Sequence, residues 1–186
     1  MGKLSYSMMT TLDGFVDGPG SDLSWALIDE EIHRFVNERE RPVSTCLYGR
    51  KMYEMMSFWQ TPEAVTNNPE WEVEFAHLWR GQRKLVFSRT LQAVAGNSML
   101  ERAFDAEAMG QLKAATPGEL SVSGPTLASQ FIGAGLVDEI SCYQHPVAIG
   151  KGTPFLQDIG SRIELRPLEE HRFASGVVFL RYAAGN

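Results

Sequence analysis

Cysteine is scarce, cations are outnumbered, and no long apolar run exists in these 186 residues. The two cysteines, Cys46 and Cys142, lie far apart in apolar, strand-like segments without a Cys-x-x-Cys spacing. That excludes a disulfide scaffold and favours buried free thiols in a reducing cytosol. Nothing approaches the roughly 18 consecutive apolar residues of a membrane span. Met1-Gly2-Lys3-Leu4-Ser5 runs into an alternating segment with no signal-peptide core. With 17 Lys and Arg against 23 Asp and Glu, the formal charge is −6, which disfavours nucleic-acid binding, because a phosphate backbone is held by clustered cations. The four histidines are too dispersed for His-Glu-x-x-His ligation, so no metal site is expected. The Gly-x-Ser-x-Gly elbow, the Walker loop and Gly-x-Gly-x-x-Gly are all missing. What remains is an ordinary globular balance, 44% hydrophobic and 22% charged. These properties describe a cytoplasmic protein in which residues 1–186 form a single domain.

No linker, repeat or low-complexity tract divides the chain. Strand-like and helix-like segments alternate instead. Lys3–Thr10 reads as a strand that ends in the Leu12-Asp13-Gly14 turn, and Asp29–Glu40 as a helix with Ile32, Phe35 and Val36 on one face. Val43–Tyr48 is a buried strand, followed by Gly49 and a helix through Met56. Asn68-Pro69-Glu70 has the residues of a helix start, with Asn68 as N-cap and Trp71, Phe75 and Leu78 on one stripe. Further strands are expected at 84–87, 120–123, 138–144, 162–168 and 177–182. Helices are expected from Asp105 and from Thr126. Alternation through residue 137 predicts an α/β fold with a mixed, mainly parallel sheet and helices on both faces. The last strands supply an antiparallel C-terminal edge. The four tryptophans read as packing residues.

Four clusters fall at the C-terminal ends of predicted strands, the rim where open α/β sheets bind ligands. Thr10–Val16 is either an ordinary Asp-Gly turn or a loop whose backbone and Asp13 face a ligand. Leu47–Glu54 places Arg50 and Lys51 at a helix start, which an anionic ligand would explain. Arg80, Arg83, Lys84 and Arg89 occupy an acid-free stretch, either a solvated face or a positive island suited to a small phosphorylated ligand. Leu120–Ala128 brings Ser123-Gly124 to a helix start that could hold a pyrophosphate.

In this order, Thr-Leu-Asp-Gly-Phe-Val, Gly-Arg-Lys-Met-Tyr-Glu, Phe-Ser-Arg-Thr and Ser-Gly-Pro-Thr-Leu-Ala resemble the dihydrofolate-reductase-like reductases. The similarity is to the branch related to the riboflavin-pathway pyrimidine reductase, the RibD C-terminal domain. Gly135–Ile140 and His145–Phe155 extend it to about residues 3–182. The resemblance implies a dihydrofolate-reductase-like sheet with NADPH across its rim. Gly49, Arg50, Lys51 and Met52 would face the adenosine-side phosphates, while Ser88 and Arg89 would hold the ribose 2′-phosphate. Ser123, Gly124, Pro125, Thr126 and Leu127 would cradle the pyrophosphate. Thr11–Gly14 and Ile149-Gly150 would border the nicotinamide. Met52 stands where the family has Thr, which removes a hydroxyl donor, and Ser123 replaces the first Gly of a Gly-Gly pair.

Asp13 becomes the candidate catalytic residue, able to orient substrate or relay a proton. Where the pyrimidine reductases grip a ribose phosphate, this chain has Asp29-Glu30-Glu31. Glu30 or Glu31 could pair with a heterocycle, as a helix carboxylate of dihydrofolate reductase does, or could be plain surface acids. The implied activity is NADPH-dependent hydride transfer to C=N or C=O in a small heterocycle-like substrate, related to 5-amino-6-(5-phosphoribosylamino)uracil or to dihydrofolate. The alternative is an NADPH-binding sensor or scaffold without turnover. A homodimer is expected through the C-terminal edge, where Cys142-Tyr143 and Val177–Leu180 are rich in β-formers.

Overall fold

The computed structural model describes residues 2–185. The order is β1 (Leu4–Thr11), β2 (Phe15–Asp17), α1 (Glu30–Glu40), β3 (Val43–Gly49) and α2 (Arg50–Met56), then two 3-10 turns at Ser57–Gln60 and Pro62–Val65. After them come α3 (Glu70–Gly81), β4 (Arg83–Phe87), β5 (Ser98–Glu101), α4 (Ala106–Ala115), β6 (Glu119–Ser123) and α5 (Pro125–Gly133). The chain continues through β7 (Glu139–His145), β8 (Thr153–Pro154), β9 (Leu165–Arg172) and β10 (Val178–Ala184). Eight strands form one sheet in the order β5-β4-β3-β6-β1-β7-β10-β9, while β2 and β8 pair apart from it. The six strands from β5 to β7 run parallel, and β10 is antiparallel to both of its neighbours. The mixed, mainly parallel sheet with an antiparallel edge is the expected fold class.

Alternation along the central strands sends Leu4, Tyr6, Leu120 and Val122 into a core beneath α4 and α5. The opposite face is divided. One apolar cluster lies under α3 around Cys46, Tyr48, Phe75 and Trp79, and another joins α1 to β7 and β10 around Ile32, Tyr143 and Phe179. Asp29 and Asp105 cap α1 and α4 by accepting from the N–H of Ile32 and of Ala108, each at 2.9 Å.

Several expectations are corrected. Pro69, not Asn68, is the N-cap of α3, and the Asn68 amide donates to the Glu63 carbonyl instead. The buried stripe of α3 is Phe75, Ala76 and Trp79, because the helix packs one residue-row away from Trp71 and Leu78. β5 is too short for its alternation to announce it. β9 begins at Leu165 rather than residue 162, where Arg162 and Glu164 form an exposed ion pair. The residues expected to form a free edge lie inside the sheet: β7 and β10 are paired on both sides, and the outer strand is β9.

Lys84 is fully buried and its Nζ donates to the carbonyls of Trp79 and Gln82, at 2.5 and 3.0 Å, where α3 ends. Burial pulls its pKa down to about 8. An unfolded lysine keeps its proton until about pH 10, so the unfolded chain binds the extra proton between those values and stability rises with pH there. The slope is at most about 1.4 kcal/mol per pH unit. Relative to wild type, Lys84→Met should lose this rise in a pH series of urea unfolding. A variant that retains it would contradict the assignment.

Candidate functional site

Five parallel strands end on one rim: β1 at Thr11, β3 at Gly49, β4 at Phe87, β6 at Ser123 and β7 at His145. β3 and β6 are neighbours, with Tyr48 opposite Ser123, and each turns directly into a helix. Gly49 and Gly124 are the N-caps of α2 and α5, and neither helix has a side-chain cap. Gly124 holds φ +95°, a conformation that glycine adopts without strain. A Cβ there would meet only Met52, at 3.8 Å, so the rim between the two helix starts is lined by backbone and left open. Pro125 occupies the first turn of α5, and the Thr126 hydroxyl beside it accepts from the Gln157 amide at 2.9 Å. The Leu127 side chain is buried in the core, which leaves its main chain as the part able to reach the rim.

The proposed island of four cations is not one. Lys84 is buried under α3, Arg80 donates to the carbonyls of Trp59 and Thr61, and Arg83 lies at the opposite end of β4. Neighbours on a strand point to opposite faces, so their adjacency in sequence did not place them together. Arg89 remains exposed at the rim and makes no ion pair among the described residues. Arg50 reaches it from the next strand: its Nη1 donates to Thr90 Oγ1 at 3.0 Å and its Nε pairs with Glu54 at 2.8 Å. Lys51 is exposed on the same helix start. The buried Ser88 hydroxyl accepts from the N–H groups of Thr90 and Leu91, shaping the turn that carries Arg89. Arg102, which sequence reasoning did not single out, donates to the carbonyls of Ser88 and Leu91 and fixes that turn from β5.

Asp13 joins two loops. Its carboxylate accepts from Thr11 Oγ1 at 2.6 Å, from Gly150 N at 2.7 Å and from Ile149 N at 3.1 Å. The Thr11 hydroxyl, with the two backbone N–H groups, holds the carboxyl below the usual carboxylate range. Thr11 also accepts from Phe15 N through the same hydroxyl. Gly14 and Gly150 both adopt positive φ, +83° and +77°, and shape the turns that meet at Asp13. Such a carboxylate is built to position the 147–155 loop.

Below the rim a cleft of about 840 Å³ runs between α1 and the sheet. Its upper part is apolar and sulfur-rich, with Met9, Met52, Met56, Phe58 and Trp59 along the walls. Its floor crosses the central strands over Ser5, Ser7, Ser121, Ser123 and Ser141, whose small side chains leave the gap between the two apolar clusters. At the far end Lys3 pairs with Glu119 and Glu139, and Arg181 with Glu139 and Glu169. Glu30 and Glu31 do not line this cleft. Helical spacing turns them outward, where Glu30 pairs with Arg34 and Glu31 accepts from Ala174 N. The α1 residues that line it are His33 and Val36 and, toward the far end, Glu38, Arg39 and Glu40. The cleft wall from the β2–α1 loop is pinned by His145, whose Nε2 lies 3.0 Å from the Leu27 carbonyl.

Among the described residues no helix is long and apolar enough to cross a membrane, and both cysteines are unpaired. The family described as "RibD C-terminal domain" matches residues 3–179. The protein YyaP of Bacillus subtilis (strain 168) is 31% identical over 184 residues, spanning 97% of this chain and 94% of that one. In fold, the chain is similar to a pyrimidine reductase-like protein of Corynebacterium diphtheriae, with a TM-score of 0.67 at 12% identity over 100% of this chain and 92% of that one. It is also similar to dihydrofolate reductase from Enterococcus faecalis, a structure complexed with NADP(H). That match has a TM-score of 0.66 at 16% identity, covering 100% of this chain and 98% of the other.

Proposed function

The chain belongs to the RibD C-terminal domain family, and we propose that it is an NADPH-dependent reductase acting on a small ring-bearing substrate held in the cleft under α1. The observation that carries this reading is the junction of an open, backbone-lined rim with an apolar cleft: Gly49 and Gly124 at adjacent helix starts, flanked by Arg50 and Arg89. This donor set fits a dinucleotide with a 2′-phosphate. The start of α5 offers main-chain N–H groups to a pyrophosphate, and Arg89 offers an unpaired guanidinium to a terminal phosphate. When bound, NADPH would supply the hydride. Asp13 acts as a positioning residue, since its carboxylate already serves three donors, and Thr11, Ile149 and Gly150 hold the loop wall beside it. The Met- and Trp-lined upper cleft excludes water from the substrate. Calorimetric titration tests the reading: NADPH should bind more tightly than NADH, and equal affinity or no heat from either would remove it.

We also infer a homodimer through the β9 end in the cytoplasm. Leu165 and Leu168 are exposed there, and Pro167 removes a donor from the edge, so side-chain packing rather than ladder bonding would join the copies. Sedimentation at micromolar concentration should give twice the chain mass. A monomer would refute it.

A further inference from the structure

His33 is the one histidine among the residues that line the cleft, and it has an unused ring nitrogen. It lines the cleft from the second turn of α1, with only 9% of its surface exposed. Its ring is held edge-on between Trp59 and Phe75, at 6.0 and 5.5 Å between centroids. One turn on, the Asn37 amide spends both hydrogens on the Trp71 carbonyl and on Glu74, at 2.8 and 3.0 Å. That fixes the amide's orientation and turns Oδ1 away from those partners. Asn37 Oδ1 and His33 Nδ1 are both buried without a partner of their own. Asn37 follows His33 by one helical turn and its side chain favours a proton on the ring, as an acceptor does, which assigns that proton to the buried Nδ1. Nε2 is then the lone-pair nitrogen left to the cleft. Burial lowers the pKa of the ring, against the opposing pull of Glu72, Asn37 and Glu74, which keeps that lone pair free near neutrality.

The charges of the cleft point to the same class of ligand. Its three cations, Lys3, Arg39 and Arg181, are all at the far end and all paired with glutamates. Four carboxylates line that same end. A phosphoribosyl group would therefore meet no free cation, and a cationic or aminopyrimidine ring would meet no carboxylate in the upper half. The mouth is apolar on both sides, with Leu23 and Ile28 exposed on one wall and Met55 and Phe58 on the other. Exposed apolar side chains grouped around a cleft mark a ligand entrance.

We propose that the cleft takes a neutral, unphosphorylated aromatic heterocycle carrying an N–H or O–H, and that His33 Nε2 accepts the hydrogen bond from that group. The proposal rests on the reductase reading for the location of the substrate but not for its chemistry. Quinoxalinone, a neutral bicyclic lactam with an adjacent C=N bond, is the probe, and its N-methyl analogue carries a methyl group in place of the donor hydrogen. Calorimetry on the cofactor-free protein should show quinoxalinone binding, with N-methylation weakening it about tenfold, the scale of one hydrogen bond. His33→Phe should cause a similar loss for quinoxalinone and none for the N-methyl analogue. The analogue pair tests the wild-type protein alone, so the result stands even if the variant does not fold. Equal affinity for the two probes, or tighter binding of dihydrofolate or of 5-amino-6-(5-phosphoribosylamino)uracil, would overturn the proposal. Failure of NADPH to bind while quinoxalinone binds through its N–H would overturn the reductase reading and leave this one standing.

Discussion

Replacing Arg89 by alanine is expected to weaken NADPH binding by roughly 10- to 150-fold and to leave NADH nearly unchanged. The two cofactors differ by one phosphate, so discrimination must come from groups that reach it. Arg89 follows a buried strand, and its turn is fixed by the Ser88 hydroxyl and by Arg102, so the guanidinium is aimed at little entropic cost. Arg50 stands across from it but is partly neutralised by Glu54, which leaves Arg89 the larger share. A charge-assisted hydrogen bond contributes about 1.5–3 kcal/mol, and about 1.4 kcal/mol is a factor of ten. Arg89→Lys should recover the charge but not the bidentate fork. Calorimetry with both cofactors decides: equal losses for NADPH and NADH, or none for either, would take Arg89 out of the site.

The second large effect is expected from Gly152→Ala. A Cβ at Gly152 would overlap the Asp17 carbonyl oxygen and crowd the Cβ of Phe15. β2 and β8 must then part, which removes the bonds from Thr153 N to Asp17 and from Phe155 N to the Gly14 carbonyl. The 147–155 loop would remain tied mainly through Asp13 and through Tyr6, whose hydroxyl donates to the Phe155 carbonyl at 2.8 Å. Because β2 and β8 are outside the main sheet, the fold should survive with a lowered melting temperature. Reductase activity should fall by about tenfold or more, as expected when a positioned wall is displaced by about 1 Å. Unchanged activity with an intact far-ultraviolet spectrum would show that this loop does not border the reaction.

The sequence made the rim legible and the cleft much less so. Gly49 and Gly124 stand directly after buried strands, and that local signal sufficed to locate two helix starts on one edge. Lys84 misled because its fate depends on which face of β4 it occupies and on α3 ending above it. Arg102 could not be found, since its target turn lies on the preceding strand and closes only when β5 pairs with β4. The serines of β1, β6 and β7 looked like breaks in apolar strands, although together they form the floor of the cleft. His33 was one residue in an acidic helix, whose inward face is fixed by packing on β7 and β10 rather than by composition.

The central claim is hydride transfer in the cleft, and label transfer tests it most directly. The protein would be incubated with quinoxalinone and with NADPH carrying deuterium at the transferable nicotinamide position. The account predicts a dihydro product with one deuterium on the former imine carbon, a proton from water on the adjacent nitrogen, and an equal amount of NADP formed. Bound NADPH that stays reduced, with quinoxalinone seated in the cleft and no label in it, would contradict the account and identify a cofactor-binding protein without turnover.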